Sequence, residues 1–296
     1  MTSTHTVASA DGTAIAYDRY TPRNPNPAGG TVVLVGGAFS YRKFPKMVQL
    51  AEMLADEQGL TVVLHDRRGR GDSGDSPGRH DCAQEIDDLA AVVAAEGGSA
   101  ALFGWSSGAV LALRAAASGR IPGIERVVAF EPPFVVDRTR HVPPTDLAAT
   151  LHRLVAEDRR GETVRYFMTK AMGIPSPFVG LMRITPMWSK LTAVAPSTAH
   201  DWAVMADHMR GEPLDPADWA GVEVPVLVVS GGRSEALLRT AARAATAALP
   251  DARHVEIAKL SHNPKVPLLV AAVDEFLTGR AAGGEPQPGA SAPTQA

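Results

Sequence analysis

Residues 101–113 read ALFGWSSGAVLAL: an apolar run, two nearby glycines, and two adjacent serines between them. The apolar start, Ala101 to Gly104, has the character of a buried strand, and the Ala- and Leu-rich continuation from Ser107 to Ser118 suits a helix capped by Gly119. The serines therefore fall at a strand-to-helix turn, where Gly104-Trp105-Ser106-Ser107-Gly108 matches G-x-S-x-G. Such a turn holds its central residue in a strained conformation, while the glycines let strand and helix approach. This register makes Ser106 the candidate nucleophile. Ser107 opens the helix, and its backbone N–H points at the place a developing oxyanion would occupy.

The alternation extends outward in both directions. TVVLVGG (Thr31–Gly37), TVVLH (Thr61–His65), RVVAFE (Arg126–Glu131) and VPVLVVSGG (Val224–Gly232) are largely apolar, as strands covered on both faces are. Helical periodicity or Ala and Leu content marks Lys46–Asp56, Ala83–Ala95 and Glu235–Leu249. TAIAYDRY (Thr13–Tyr20) alternates and is expected to form a hairpin with the residues before Asp11-Gly12. The fold class is α/β, with a mostly parallel central sheet and helices on both faces. From about Phe134 to Ala220 no strand candidate occurs, and Asp146–Arg159, Glu162–Met172 and His200–Met209 read as helices. This interval, 134–220, is expected to be a helical cap inserted into a core domain of residues 1–133 and 221–280. Residues 281–296 have low complexity and are expected to be a disordered tail.

Composition excludes several classes of function. A formal net charge of -3 over 296 residues provides no attraction for nucleic acid. The single cysteine, Cys82, rules out an internal disulfide framework or a Cys-based metal cluster, and is expected on a helix, buried or half-buried. No apolar run is long enough to span a bilayer, and the polar start MTSTHTVASADG lacks the apolar region of a secretory signal, so a cytoplasmic location is expected. No metal or cofactor is expected, and the oligomeric state stays open.

A serine hydroxyl is a weak nucleophile until a base takes its proton. His262, in AKLSHNPK, follows the strand candidate RHVEIA (Arg253–Ala258) and precedes the final helix; His254 lies inside that strand, and His152, His200 and His208 lie in the helical interval. With its elbow and late histidine, the chain from about Thr13 to Leu277 resembles the α/β-hydrolase superfamily, in its capped, serine-nucleophile form. The resemblance implies the chain order nucleophile, acid, histidine, and makes His262 the base. HDRRGRGDSG (His65–Gly74) is similar to the turn after the family's fourth strand and lacks a phosphate-loop spacing, so a structural role is expected. The family's oxyanion loop, commonly His-Gly, corresponds to Gly36-Gly37, which implies a second oxyanion donor at the N–H of Ala38 or Phe39.

The family's acid usually follows the seventh strand, and there VVSGGRSEAL offers Ser234, which cannot stabilise an imidazolium by charge. Glu131, ending the sixth strand in AFEPPF, matches the acid position of some members, haloalkane dehalogenases among them. Glu131 is favoured, Glu235 is the alternative acid, and Asp137 stands third. The resemblance implies acyl transfer through a Ser106–His262–acid triad on an ester, thioester or lactone. Phe39, Trp105, Phe134, Met172, Met187, Trp188 and Trp202 are the expected pocket, and flexible methionines with large aromatics suit a bulky apolar small molecule. Serine argues against dehalogenase and epoxide hydrolase chemistry, whose nucleophile is aspartate. The acid position keeps two alternatives open: a cyclase, lyase or transacylase of secondary metabolism, and a ligand-binding relative with little turnover.

Overall fold

Consecutive residues of an extended apolar run point to opposite faces, so a strand such as TVVLV requires cover on both sides. The computed structural model describes residues 1–279 except Ala28, Pro77 and Arg79; the expected tail at 281–296 lies outside the described residues. Strands β1 (Thr2–Ala8), β2 (Ala14–Tyr20), β3 (Thr31–Val35), β4 (Thr61–His65), β5 (Ala100–Trp105), β6 (Ile124–Phe130), β7 (Val226–Gly231) and β8 (Ala252–Ile257) form one sheet in the order β1-β2-β4-β3-β5-β6-β7-β8. The β1–β2 and β2–β4 pairs are antiparallel and the others parallel. The expected hairpin at the start is therefore β1–β2.

Helices α1 (Pro45–Asp56), α2 (Cys82–Ala95) and α3 (Ser107–Ala117) alternate with the early strands. Between β6 and β7 run α4 (Leu147–Ala156), α5 (Arg160–Tyr166), α6 (Ser176–Met182), α7 (Met187–Ala193) and α8 (Thr198–Met205), with a π-helical turn at Phe167–Ala171. α9 (Ala236–Ala248) precedes β8, and α10 (Val266–Thr278) follows it. Periodicity marks neither α6 nor α7, because two turns are too short to display an apolar stripe.

The two-sided burial is literal. Val33 and Val35 join a core with residues of α2, α3 and α9, while Val32 and Leu34 face α1 and α10. Cys82 is buried at the start of α2. No helix among the described residues is long and apolar enough to cross a membrane. On either side of β3 lie β4 and β5, so chain direction across the sheet reverses there, and the crevice beyond the carboxyl ends of such strands is where α/β sheets place ligands.

Candidate active site

Four segments meet beyond those carboxyl ends: Gly36–Phe39 after β3, Ser106 after β5, Glu131 after β6 and His262 after β8. Ser106 has φ 57° and ψ −123°, a left-handed conformation that strains a residue with a side chain. Its N–H donates to the Phe130 carbonyl at 2.9 Å, which ties the turn to β6. The flanking glycines make the turn possible. A Cβ on Gly104 would lie 2.4 Å from the Ala109 Cα, and one on Gly108 would lie 2.1 Å from the Val35 carbonyl oxygen. Backbone cannot yield as a side-chain tip can, so Gly108→Ala is expected to destabilise the fold by about 3 kcal/mol in urea denaturation. Gly180→Ala, whose Cβ meets nothing within 4 Å inside α6, is expected instead to stabilise by roughly 0.5 kcal/mol.

The histidine and one carboxylate are joined. His262 Nδ1 lies 2.6 Å from Glu131 Oε2, and the other oxygen, Oε1, accepts the Gly231 N–H at 2.7 Å. Glu131 is fully buried and has φ 49°, so its backbone is also held in the left-handed region. Glu131 N–H bonds the Val229 carbonyl of β7, which fixes where the side chain starts. The His262 ring stacks over Phe130, centroids 6.2 Å apart. Ser234, at the family's usual acid position, is buried with its hydroxyl unpartnered among the described residues. Glu235 is exposed at the N-terminus of α9, and Asp137 is bonded to its neighbour Thr139; neither bonds His262 among the described residues.

Ser106 and His262 line two chambers. The smaller, about 240 Å³, is walled by Phe167, Met172, Met205, Met209 and Leu238, with Ala38, Ser107 and Glu235 also on its surface. The larger, about 620 Å³, is lined by Phe39, Trp105, Met172, Met187, Lys46 and Lys190 among others. The backbone N–H groups of Ala38 and Ser107 have no partner among the described residues. Three residues expected at the pocket line neither chamber. Phe134 is buried against the rings of His208 and Trp219, and Trp202 lies in the core shared with α2 and α3. Trp188 packs beside the small core of α5–α7 with the Arg183 guanidinium over its ring. Large aromatic surface gains more from a closed core than from a cavity wall, and sequence alone does not distinguish the two.

A buried ionic network lies beneath the site, and its hub, Asp201 in α8, is not among the residues singled out from sequence. Arg67 grips Glu85 through Nε and Nη2 at 2.5 and 2.7 Å and donates from Nη1 to Asp201 at 2.7 Å. Arg70 donates to the other Asp201 oxygen at 2.6 Å, and to the Gly37 and Ser40 carbonyls at 2.7 and 3.1 Å. The Ser107 hydroxyl donates to Asp201 at 2.7 Å. Burial opposes charge on Asp201, but the attraction of Arg70 and Arg67, with the Ser107 hydrogen bond, outweighs it and holds the carboxyl below its usual range. Within HDRRGRGDSG, Arg67 and Arg70 donate to the carbonyls of Gly36, Gly37 and Ser40 around Ala38, while Arg68 bonds Asp88 and Asp11 instead. Nearby, burial and the adjacent His80 push His200 down to about 4. No group of three His, Cys, Asp or Glu side chains is placed to hold a metal ion among the described residues.

Residues 32–277 match the model of the alpha/beta hydrolase family. The chain belongs to that family. An alpha/beta hydrolase from Sphaerobacter thermophilus DSM 20745 is 42% identical with a TM-score of 0.80, the match covering 92% of this chain and 99% of that one. An esterase from Rhodococcus sp. ECU1013 is 23% identical, with a TM-score of 0.61 over 93% of this chain and 98% of its own. The enol-lactonase from Burkholderia xenovorans LB400 is 18% identical, with a TM-score of 0.61 over 92% and 97%. At the latter two identities the likeness to this alpha/beta hydrolase speaks for the fold alone. No curated protein matches the chain in sequence.

Proposed function

We propose that this alpha/beta hydrolase is a serine hydrolase that cleaves an ester, thioester or lactone of a bulky, mostly apolar substrate through an acyl-enzyme. His262 takes the proton of Ser106 Oγ as that oxygen attacks the carbonyl, and Glu131 holds Nδ1 so that Nε2 is the basic nitrogen. The N–H groups of Ala38 and Ser107 donate to the tetrahedral oxyanion. His262 then returns its proton to the leaving oxygen or sulfur, and water repeats the sequence to free the acid. The helical segment 134–220 acts as a cap over the two chambers, contributing Phe167, Met172, Met205 and Met209 to their walls. The observation that carries this reading is the His262–Glu131 contact, made at a loop that shares both chambers with the strained Ser106.

A fluorophosphonate probe tests it directly. Intact-mass analysis should show one adduct on the wild type, mapped to Ser106, and none on Ser106→Ala. A folded wild type that takes up no probe, or takes it up at another residue, would overturn the assignment.

A further inference from the structure

The two chambers carry opposite charge. Lys46 and Lys190 are on the wall of the larger one, which has no Asp or Glu on its surface among the described residues, whereas the smaller one holds Glu235 and no lysine or arginine. Neither lysine is paired with a carboxylate among the described residues; of the chain's four other lysines only Lys43, beside Asp72, has such a partner there. Lys46 is half-buried in the first turn of α1, where the helix dipole disfavours a cation and no acidic residue compensates. One Lys46 proton goes to the Pro264 carbonyl at 2.6 Å, and burial lowers its pKa, so the ammonium is short of counter-charge. Lys190 is exposed on α7, beside Met187 and Leu191 of the same wall. Elsewhere this wall is mostly apolar, with Phe39, Phe44, Trp105 and Met182 upon it beside the polar Ser40, Tyr41 and Asn263.

We infer that the substrate carries a carboxylate on an otherwise apolar body, and that Lys46 and Lys190 bind it in the larger chamber while the smaller chamber takes the uncharged arm. This deepens the acyl-transfer reading and rests on it for the position of the scissile carbonyl at Ser106. Two unpaired ammoniums on a partly dry wall favour one anion and reject none of the apolar contacts around it. The other chamber, with Glu235, repels the same group, so orientation and specificity arise together.

The test compares charged and neutral partners of equal shape. Mono-p-nitrophenyl esters of dicarboxylic acids from succinate to sebacate, each against its methyl-capped neutral form, place the carboxylate on the acyl side. 4-(Hexanoyloxy)benzoate against its methyl ester places it on the leaving group. In one of the two series kcat/KM should favour the anion by about tenfold at low salt, the scale of a charge-assisted hydrogen bond, and the preference should shrink as salt rises. Lys190→Glu should reduce the anion-to-neutral ratio to unity or below, and Lys46→Met should reduce it severalfold. The ratio is the readout because Lys46 also tethers the loop of His262. Equal rates for charged and neutral esters in both series, or a ratio unmoved by Lys190→Glu, would overturn the inference.

A calorimetric arm separates it from the acyl-transfer reading. Monomethyl suberate should bind Ser106→Ala more tightly than dimethyl suberate does. If the wild type neither turns over esters nor takes up the probe while this preference holds, the reaction assignment falls and the anion site stands. If the probe labels Ser106 and no anion preference appears in any assay, the anion site alone falls.

Discussion

On the proposed acyl-enzyme route, Glu131→Gln should lower the rate of acylation by about ten-thousand-fold, the scale on which a histidine held in the wrong tautomer fails as a base. The geometry gives the reason. Both carboxylate oxygens accept: Oε1 from the Gly231 N–H at 2.7 Å and Oε2 from His262 Nδ1 at 2.6 Å. Glutamine has one carbonyl oxygen, and the fixed Gly231 N–H claims it. The amide nitrogen then faces Nδ1, which must become an acceptor, and the ring proton moves to Nε2. In the proposed mechanism Nε2 is the nitrogen that takes the Ser106 proton. Stopped-flow acylation with a p-nitrophenyl ester measures the rate, and a thermal melt shows that the fold survives. Glu235→Gln should cost far less, because Glu235 is exposed at the start of α9 and makes no bond to His262. The opposite ranking would move the acid to Glu235.

The elbow is legible in the sequence because its determinants are local. Gly104, Ser106 and Gly108 lie within five residues, and each meets its constraint inside one strand-turn-helix unit. The strands are legible on similar grounds, since a short all-apolar run is too brief for a buried helix and fits a strand covered on both faces. The carboxylate that meets His262 is narrowed only to a short set of candidates. Glu131 and His262 are joined across the ends of β6 and β8, 131 residues apart in sequence, and no spacing rule spans that distance. Asp201 is invisible for the same reason. It is an ordinary aspartate in a helical segment, TAHDWAVM, and acquires its role only when α8 packs over α3 and meets Arg67, Arg70 and Ser107. The aromatics of the helical segment show the converse: composition indicates their burial, and only packing decides between core and cavity for Phe134, Trp188 and Trp202.

Asp201→Ala is expected to destabilise the protein by about 3–5 kcal/mol, the range for breaking a buried ion pair by removing one partner. Arg67 would keep Glu85, but Arg70 would lose its carboxylate and retain only the Gly37 and Ser40 carbonyls and the Ser197 hydroxyl. A buried guanidinium so placed attracts water or shifts, and both outcomes disturb the loop that presents Ala38 to the site. Asp201→Asn preserves shape and one acceptor while removing the charge, so it should lose most of the same stability if electrostatics dominates. The pH dependence gives an independent reading. Arg70 and Arg67 hold Asp201 below the usual carboxyl range against the opposing effect of burial, and Arg67 with His80 holds Glu85 well below it. A carboxyl whose folded value is depressed binds fewer protons folded than unfolded. Its stabilisation is therefore complete above the unfolded value near ~4 and is lost as pH falls through the folded one. The wild-type melting temperature should fall more steeply than that of Asp201→Asn below this point, and the gap between them should narrow. Below the melting range, kcat of Asp201→Asn should drop more than its KM rises, because in the proposed mechanism the displaced groups serve the oxyanion rather than the ground-state substrate. An Asp201→Asn protein with wild-type stability and a wild-type acid limb would mean that the arginines are balanced elsewhere, and that α8 does not hold the Gly36–Phe39 loop in place.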